Sequence, residues 1–140
     1  MRGEARVIAD RFRLERALQR TPEIWTARDE REGMRVDVEV ASLEARSGWN
    51  GFERFERAAC VLSSSELPRS LPRALAFEHD PDGDTFLVRE ALAGGSLASR
   101  NQLEGDDVRT LLRGLLEAVA TLHAHDLRHG AIDAGCVFFR

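Results

Sequence analysis

Leu115–Phe139 reads LLEAVATLHAHDLRHGAIDAGCVFF: an amphipathic helix, a turn at His129-Gly130, then a short apolar strand over Cys136–Phe139. The helical pattern extends upstream. Val108, Leu111, Leu112, Leu115, Leu116, Val119 and Leu122 follow the spacing of one helix face, which predicts a single buried stripe. Asp106 or Asp107 can cap the start of this helix, and acidic residues there also complement its dipole. A helix of this kind needs a core to dock on, and the preceding residues supply strands for one.

Working back from the helix, Ala74–Glu78 and Thr85–Glu90 read as a hairpin, because the Asp82-Gly83 step between two apolar runs is a strong turn signal. Asp80, Asp82 and Asp84 alternate as in a calcium loop, but the sixth position is Thr85 instead of Gly and the twelfth is Ala91 instead of Glu. A solvated turn is the reading. Trp49–Leu62 reads as a helix with Phe52, Phe55, Ala59 and Leu62 on one side, ended by Ser63-Ser64-Ser65-Glu66 and by Pro68 and Pro72. Phe12–Leu18, Glu23–Ala27 and Arg35–Val40 form a predicted three-strand meander, closed at Gly33. In the third strand, Asp37 and Glu39 are expected on the solvent face of an edge strand.

Composition sets bounds. The 140 residues are 43% hydrophobic and 31% charged, enough for one domain, and the net charge of -4 gives no basic signature for nucleic acid or anionic membrane. No apolar run is long enough to span a bilayer, and MRGEARVIADRF has no apolar signal-peptide core, so a cytoplasmic location is expected. Cys60 and Cys136 make neither a disulfide framework nor a metal knuckle and are expected to behave as small apolar residues. All 20 basic residues are Arg. Chemistry that needs an ammonium group therefore has no side chain to perform it.

The four histidines raise a metal site. His123, His125 and His129, with Asp126 or Asp133, approach the H-x-H-x-D-H pattern of metallo-hydrolases, but Leu127 and Arg128 stand where it needs Asp and His. On a helix, His123 and His125 also point to different sides. No metal is expected.

Three stretches carry a family resemblance. Leu127–Asp133 with Cys136–Phe139 resembles H-R-D-L-x-x-x-N and its following strand; Leu87–Leu97 resembles the lobe hinge L-V-x-E-x-x-x-G-G-S-L; and Val36–Glu39 lies where V-A-I-K is found. The chain is similar, over about residues 11 to 139, to the eukaryotic-like Ser/Thr protein kinases of bacteria. That resemblance implies an α+β fold: a kinase-like small lobe, with an antiparallel sheet of about five strands plus one helix, then the first helices of the large lobe. It divides the chain into an N-terminal extension (1–10), an N-lobe (11–91) and a hinge with an incomplete C-lobe (92–140).

The resemblance implies lost chemistry. Glu39 stands at the phosphate-anchoring lysine, Ala58 at its glutamate partner, Ala131 at the catalytic Asp and Cys136 at the magnesium-binding Asn, while His129 keeps the motif's His. Glu56 is the alternative partner in another register. Gln19-Arg20-Thr21-Pro22 occupies the glycine-rich loop without a Gly, and Pro22 removes a donor. The nucleotide-site positions are then Gln19, Thr21, Glu39, Arg89 and Glu90, with Arg89 as a charged gatekeeper. Loss of a general base alone costs about 10²- to 10⁴-fold in rate. A pseudokinase-type signalling domain is implied, truncated after the catalytic loop, with no cofactor and no metal. It would act through a protein partner or self-association, favoured by apolar helix surface that lacks its family partners. The alternative is the N-terminal part of a longer Ser/Thr kinase-like enzyme with atypical ATP binding and Mg chemistry.

Overall fold

The structure is a computed structural model that describes residues 6–20, 22–42, 49–81, 83–92, 94–129 and 132–139. Its elements are β1 (Val7–Ile8), β2 (Phe12–Arg20), β3 (Glu23–Asp29), β4 (Arg35–Ala41), α1 (Trp49–Leu62), β5 (Ala74–His79), β6 (Thr85–Glu90) and α2 (Gly105–Ala124), with a 3-10 turn at Leu97–Ser99. The fold is α+β. Six strands form one antiparallel sheet in the order β1-β2-β3-β4-β6-β5. The sixth strand is β1, within the stretch assigned to an N-terminal extension; it pairs Ile8 with Phe12.

The chain divides into two compact units, one of Met1–Ser63 with Arg73–Ala91 and one of Ser64–Pro72 with Leu92–Arg140. In the first, period-two alternation does what it should: Val36, Val38 and Val40 of β4 join Ile8, Phe12, Leu14, Ala27, Phe86 and Val88 in one core. Alternation fails in β2. Only Phe12 and Leu14 are buried there, Leu18 is 47% exposed, and bulges at Leu14/Arg16 and Ala17/Gln19 break the register.

Three turns organise the sheet. Ala9 and Asp10 both have positive φ (52° and 50°), and Arg11 N donates to Ile8 O at 3.0 Å, a type I′ hairpin turn without glycine. Gly33 (φ 69°) closes β3 to β4 by donating its N–H to Asp29 O at 2.8 Å. Gly83 (φ 98°) turns β5 into β6, as the Asp-Gly step predicts. The loop is not simply solvated, since Arg6 Nη2 bridges Asp80 (3.2 Å) and Asp84 (2.9 Å). Asp82 lies outside the described residues.

α1 spans the predicted residues and buries Ala59, Val61 and Leu62, with the Phe55 and Phe77 rings tilted at 52° to one another and their centres 5.6 Å apart. In the second unit, α2 differs from expectation in two ways. Its N-cap is Glu104, in extended geometry with no side-chain cap bond, and Asp106 and Asp107 lie two and three residues further in, within the first turn. They can still meet the dipole but not cap. The predicted stripe is also split. Ala118 is buried and Leu111, Leu115, Val119 and Leu122 are half-buried, while Val108, Leu112 and Leu116 are exposed at 37%, 52% and 71%. The helix ends with Asp126 in the left-handed region (φ 57°), Asp126 N bonding His123 O and Leu127 N bonding Leu122 O.

The predicted strand at Cys136–Phe139 does not form. The segment makes one bridge, Ser96 to Phe138, in which Val137 O accepts from Leu97 N at 2.7 Å and Phe139 N donates to Gly95 O at 3.1 Å. Upstream, Asp133 Oδ1 accepts from Gly135 N (2.8 Å) and Cys136 N (3.1 Å), so the backbone is turned there and cannot extend a ladder.

Candidate functional site

The polar face of the sheet is set by register. Residues directly opposed in antiparallel strands share a face. Thr26, Asp37 and Arg89 are opposed across β3, β4 and β6, and the next row on the same face is Ile24, Glu39, Leu87 and Phe77. Gln19, paired with Ile24, continues that second row. The valines of β4, the core side chains, take the other face.

β4 is not the edge strand expected from its alternation. β3 pairs it on one side and β6 on the other, so Asp37 and Glu39 sit in mid-sheet and are half-buried. Local alternation reports that one face is polar; it carries no information about a strand that arrives after α1. The consequence is electrostatic. Arg89 Nη2 lies 3.5 Å from Glu39 Oε2, and Arg89 is directly opposite Asp37. Burial pushes the Asp37 carboxyl above its ordinary value, against the pull of Arg89 and Arg35.

Of the five positions that the resemblance assigns to a nucleotide site, Gln19, Glu39 and Arg89 share this face; Glu39 and Arg89 meet at 3.5 Å, while Gln19 stands two strands from Glu39, across β3. Glu90 is not on this face. It is opposite Val36, on the core-facing side, and its carboxylate accepts from Arg73 N at 3.0 Å while its own N–H donates to Arg73 O. Thr21 lies outside the described residues. Gln19 and Arg20 belong to β2, paired with Ile24 and Glu23, so the predicted four-residue loop shortens to the two residues between strands. Ala58 is half-buried on α1, and Glu56 is exposed.

His129 and Cys136 belong to the second unit and are exposed; Ala131 lies outside the described residues. The expectation that both cysteines pack as apolar residues is overturned, because Cys60 and Cys136 are exposed. Cys60 follows the buried Ala59 on α1, and Cys136 Sγ is held at 3.2 Å from both the N–H and the carbonyl of Asp133. His123, Asp126, Leu127 and Arg128 line a small surface hollow, while His125 Nδ1 lies 2.8 Å from Thr121 O. Among the described residues no three His, Cys, Asp or Glu side chains converge as metal ligands. No described helix is long and apolar enough to cross a membrane.

One charged site escaped the sequence reading. Asp29 is 2% exposed and accepts from Arg11 Nε (2.9 Å), Arg11 Nη2 (2.6 Å), Arg31 N (3.0 Å) and Glu32 N (3.3 Å). The Arg11 hydrogen bond, helped by the two backbone donors, lowers its carboxyl to about 2. Asp29 four residues before Gly33 was a readable turn signal. Arg11, from the preceding hairpin, was not.

No protein-family model matches the chain, and a search of curated proteins gives no significant match. The candidate site is the face built by β3, β4 and β6.

Proposed function

We propose that this chain is a protein-kinase-like domain that does not transfer phosphoryl groups and works through contacts with other proteins. The observation that supports this reading is the Glu39–Arg89 ion pair at 3.5 Å. By the resemblance, Glu39 stands where a lysine holds nucleotide phosphates. A carboxylate about 4 Å from a phosphate oxygen is opposed by roughly 4 kcal/mol at the effective dielectric of a partly buried site. The compensating cation is already engaged, on the gatekeeper strand, with the carboxylate it neutralises. The two-residue β2–β3 connection, with Pro22 in it, argues the same way, since proline offers no N–H to a phosphate.

The test is a thermal-shift titration of the chain with ATP and Mg²⁺ or Mn²⁺. A ligand at 100 times its Kd stabilises by about 2.7 kcal/mol. No shift is expected up to millimolar nucleotide. A saturable rise in Tm overturns the reading.

A further inference from the structure

We infer that the exposed half of α2 is a docking surface for an amphipathic partner helix whose apolar face is edged by carboxylates one turn apart. The inference rests on the proposed protein-contact function and names the kind of partner. Val108, Leu112 and Leu116 recur every four residues and are the exposed large apolar residues of α2, at 37%, 52% and 71%. At 1.5 Å rise per residue they span about 12 Å, the reach of two helical turns. Anchors at this spacing are what a helix-in-groove contact reads.

The flank of the stripe chooses the occupant. Arg109 and Arg113 follow Val108 and Leu112 by one position each, which sets both at one edge of the stripe, and both are exposed. A second copy of this chain is disfavoured: an antiparallel pairing centred on Leu112 would set Arg109 beside Arg113 of the copy, with no anion between them. Glu117 offers no relief, because it lies further round the helix and its Oε2 accepts from Ser70 Oγ at 3.1 Å. A partner with Asp or Glu at i and i+4 beside its own leucines meets both arginines and covers the stripe.

The probe is a fluorescein-labelled helical peptide with leucines at i, i+3, i+4 and i+7 and glutamates along one edge, compared with the same peptide carrying lysines there. Anisotropy titration with the full chain should show saturable binding of the Glu peptide at least tenfold tighter than of the Lys peptide. Leu116→Ser should weaken Glu-peptide binding tenfold or more. Arg109→Glu with Arg113→Glu should reverse the preference between the two peptides. All three positions are exposed, and far-UV circular dichroism of each variant checks that the fold is retained. Equal binding of the two peptides, no saturable binding of either, or a charge-reversed variant with unchanged preference overturns the inference. A dimer in light scattering that Leu112→Glu dissolves overturns it in favour of a second copy.

Discussion

Arg89 on β6 reaches Glu39 on β4 across the strand pair, Nη2 to Oε2 at 3.5 Å, and stands directly opposite Asp37. One guanidinium thus serves two carboxylates on the same face. Partly buried pairs of this geometry couple weakly but measurably. A double-mutant cycle of Glu39→Gln and Arg89→Gln, followed by urea denaturation, should give a coupling energy of about 0.5–1 kcal/mol. Additive single effects would remove the pair from the account of this face. Because Arg89 pulls the Asp37 carboxyl down, Arg89→Gln should also move the NMR titration of Asp37 upward.

Acid should act on two aspartates in opposite directions. Asp29 has its folded value lowered from 3.8 to about 2, so its contribution is fully present above about pH 4 and is lost as pH falls toward 2. Asp37 is raised by burial, so the folded state binds its proton more tightly and gains stability as pH falls through that raised value. Asp29→Asn should flatten the loss of stability between about pH 4 and pH 2. Asp37→Asn should raise the urea midpoint at neutral pH and remove the gain on acidification. Parallel pH profiles for the two variants would contradict this assignment.

The β1–β2 turn holds two L-residues at positive φ, Ala9 at 52° and Asp10 at 50°. Asn-Gly is the pair that type I′ geometry favours, because Asn tolerates and Gly freely adopts that region. Ala9→Asn with Asp10→Gly should stabilise by about 1 kcal/mol, read as a rise in the urea midpoint at constant m. An unchanged midpoint would mean that the turn is not strained.

Apolar residues in the two units should differ sharply in cost. Phe86 is fully buried in the sheet core, with the Arg6 guanidinium 5.0 Å from its ring centre. Phe86→Ala should cost about 3–5 kcal/mol through lost burial and a cavity. Leu116→Ala, on the exposed stripe, should change stability by less than about 0.5 kcal/mol. A large penalty at Leu116 would show that α2 is covered on that side.

Much of the local structure could be read from the chain. The Val36-x-Val38-x-Val40 alternation, the Asp-Gly turn and the Phe52/Phe55/Ala59/Leu62 spacing each report a face and a period, and β4, the β5–β6 hairpin and α1 follow them. The misses have a common cause. β4 was placed at an edge, Arg11 was not matched to Asp29, and α2 was given one buried stripe, because each answer depends on a segment distant in sequence. The strand at Cys136–Phe139 failed for the related reason that an apolar run extends only where a ladder is available to accept it.

The sequence by itself determined which residues are chemically possible at the polar face: two carboxylates at Asp37 and Glu39, arginine as the basic side chain, and no lysine to supply an ammonium. Side-chain identity and period are local properties, carried by the order of residues. Only the tertiary structure decided that β6 lies beside β4, so that Arg89 meets Glu39, and which half of the α2 stripe is left exposed. Those outcomes come from strand register and packing between segments far apart in the chain, where the free energy depends on the partner surface and not on the pattern of either segment alone.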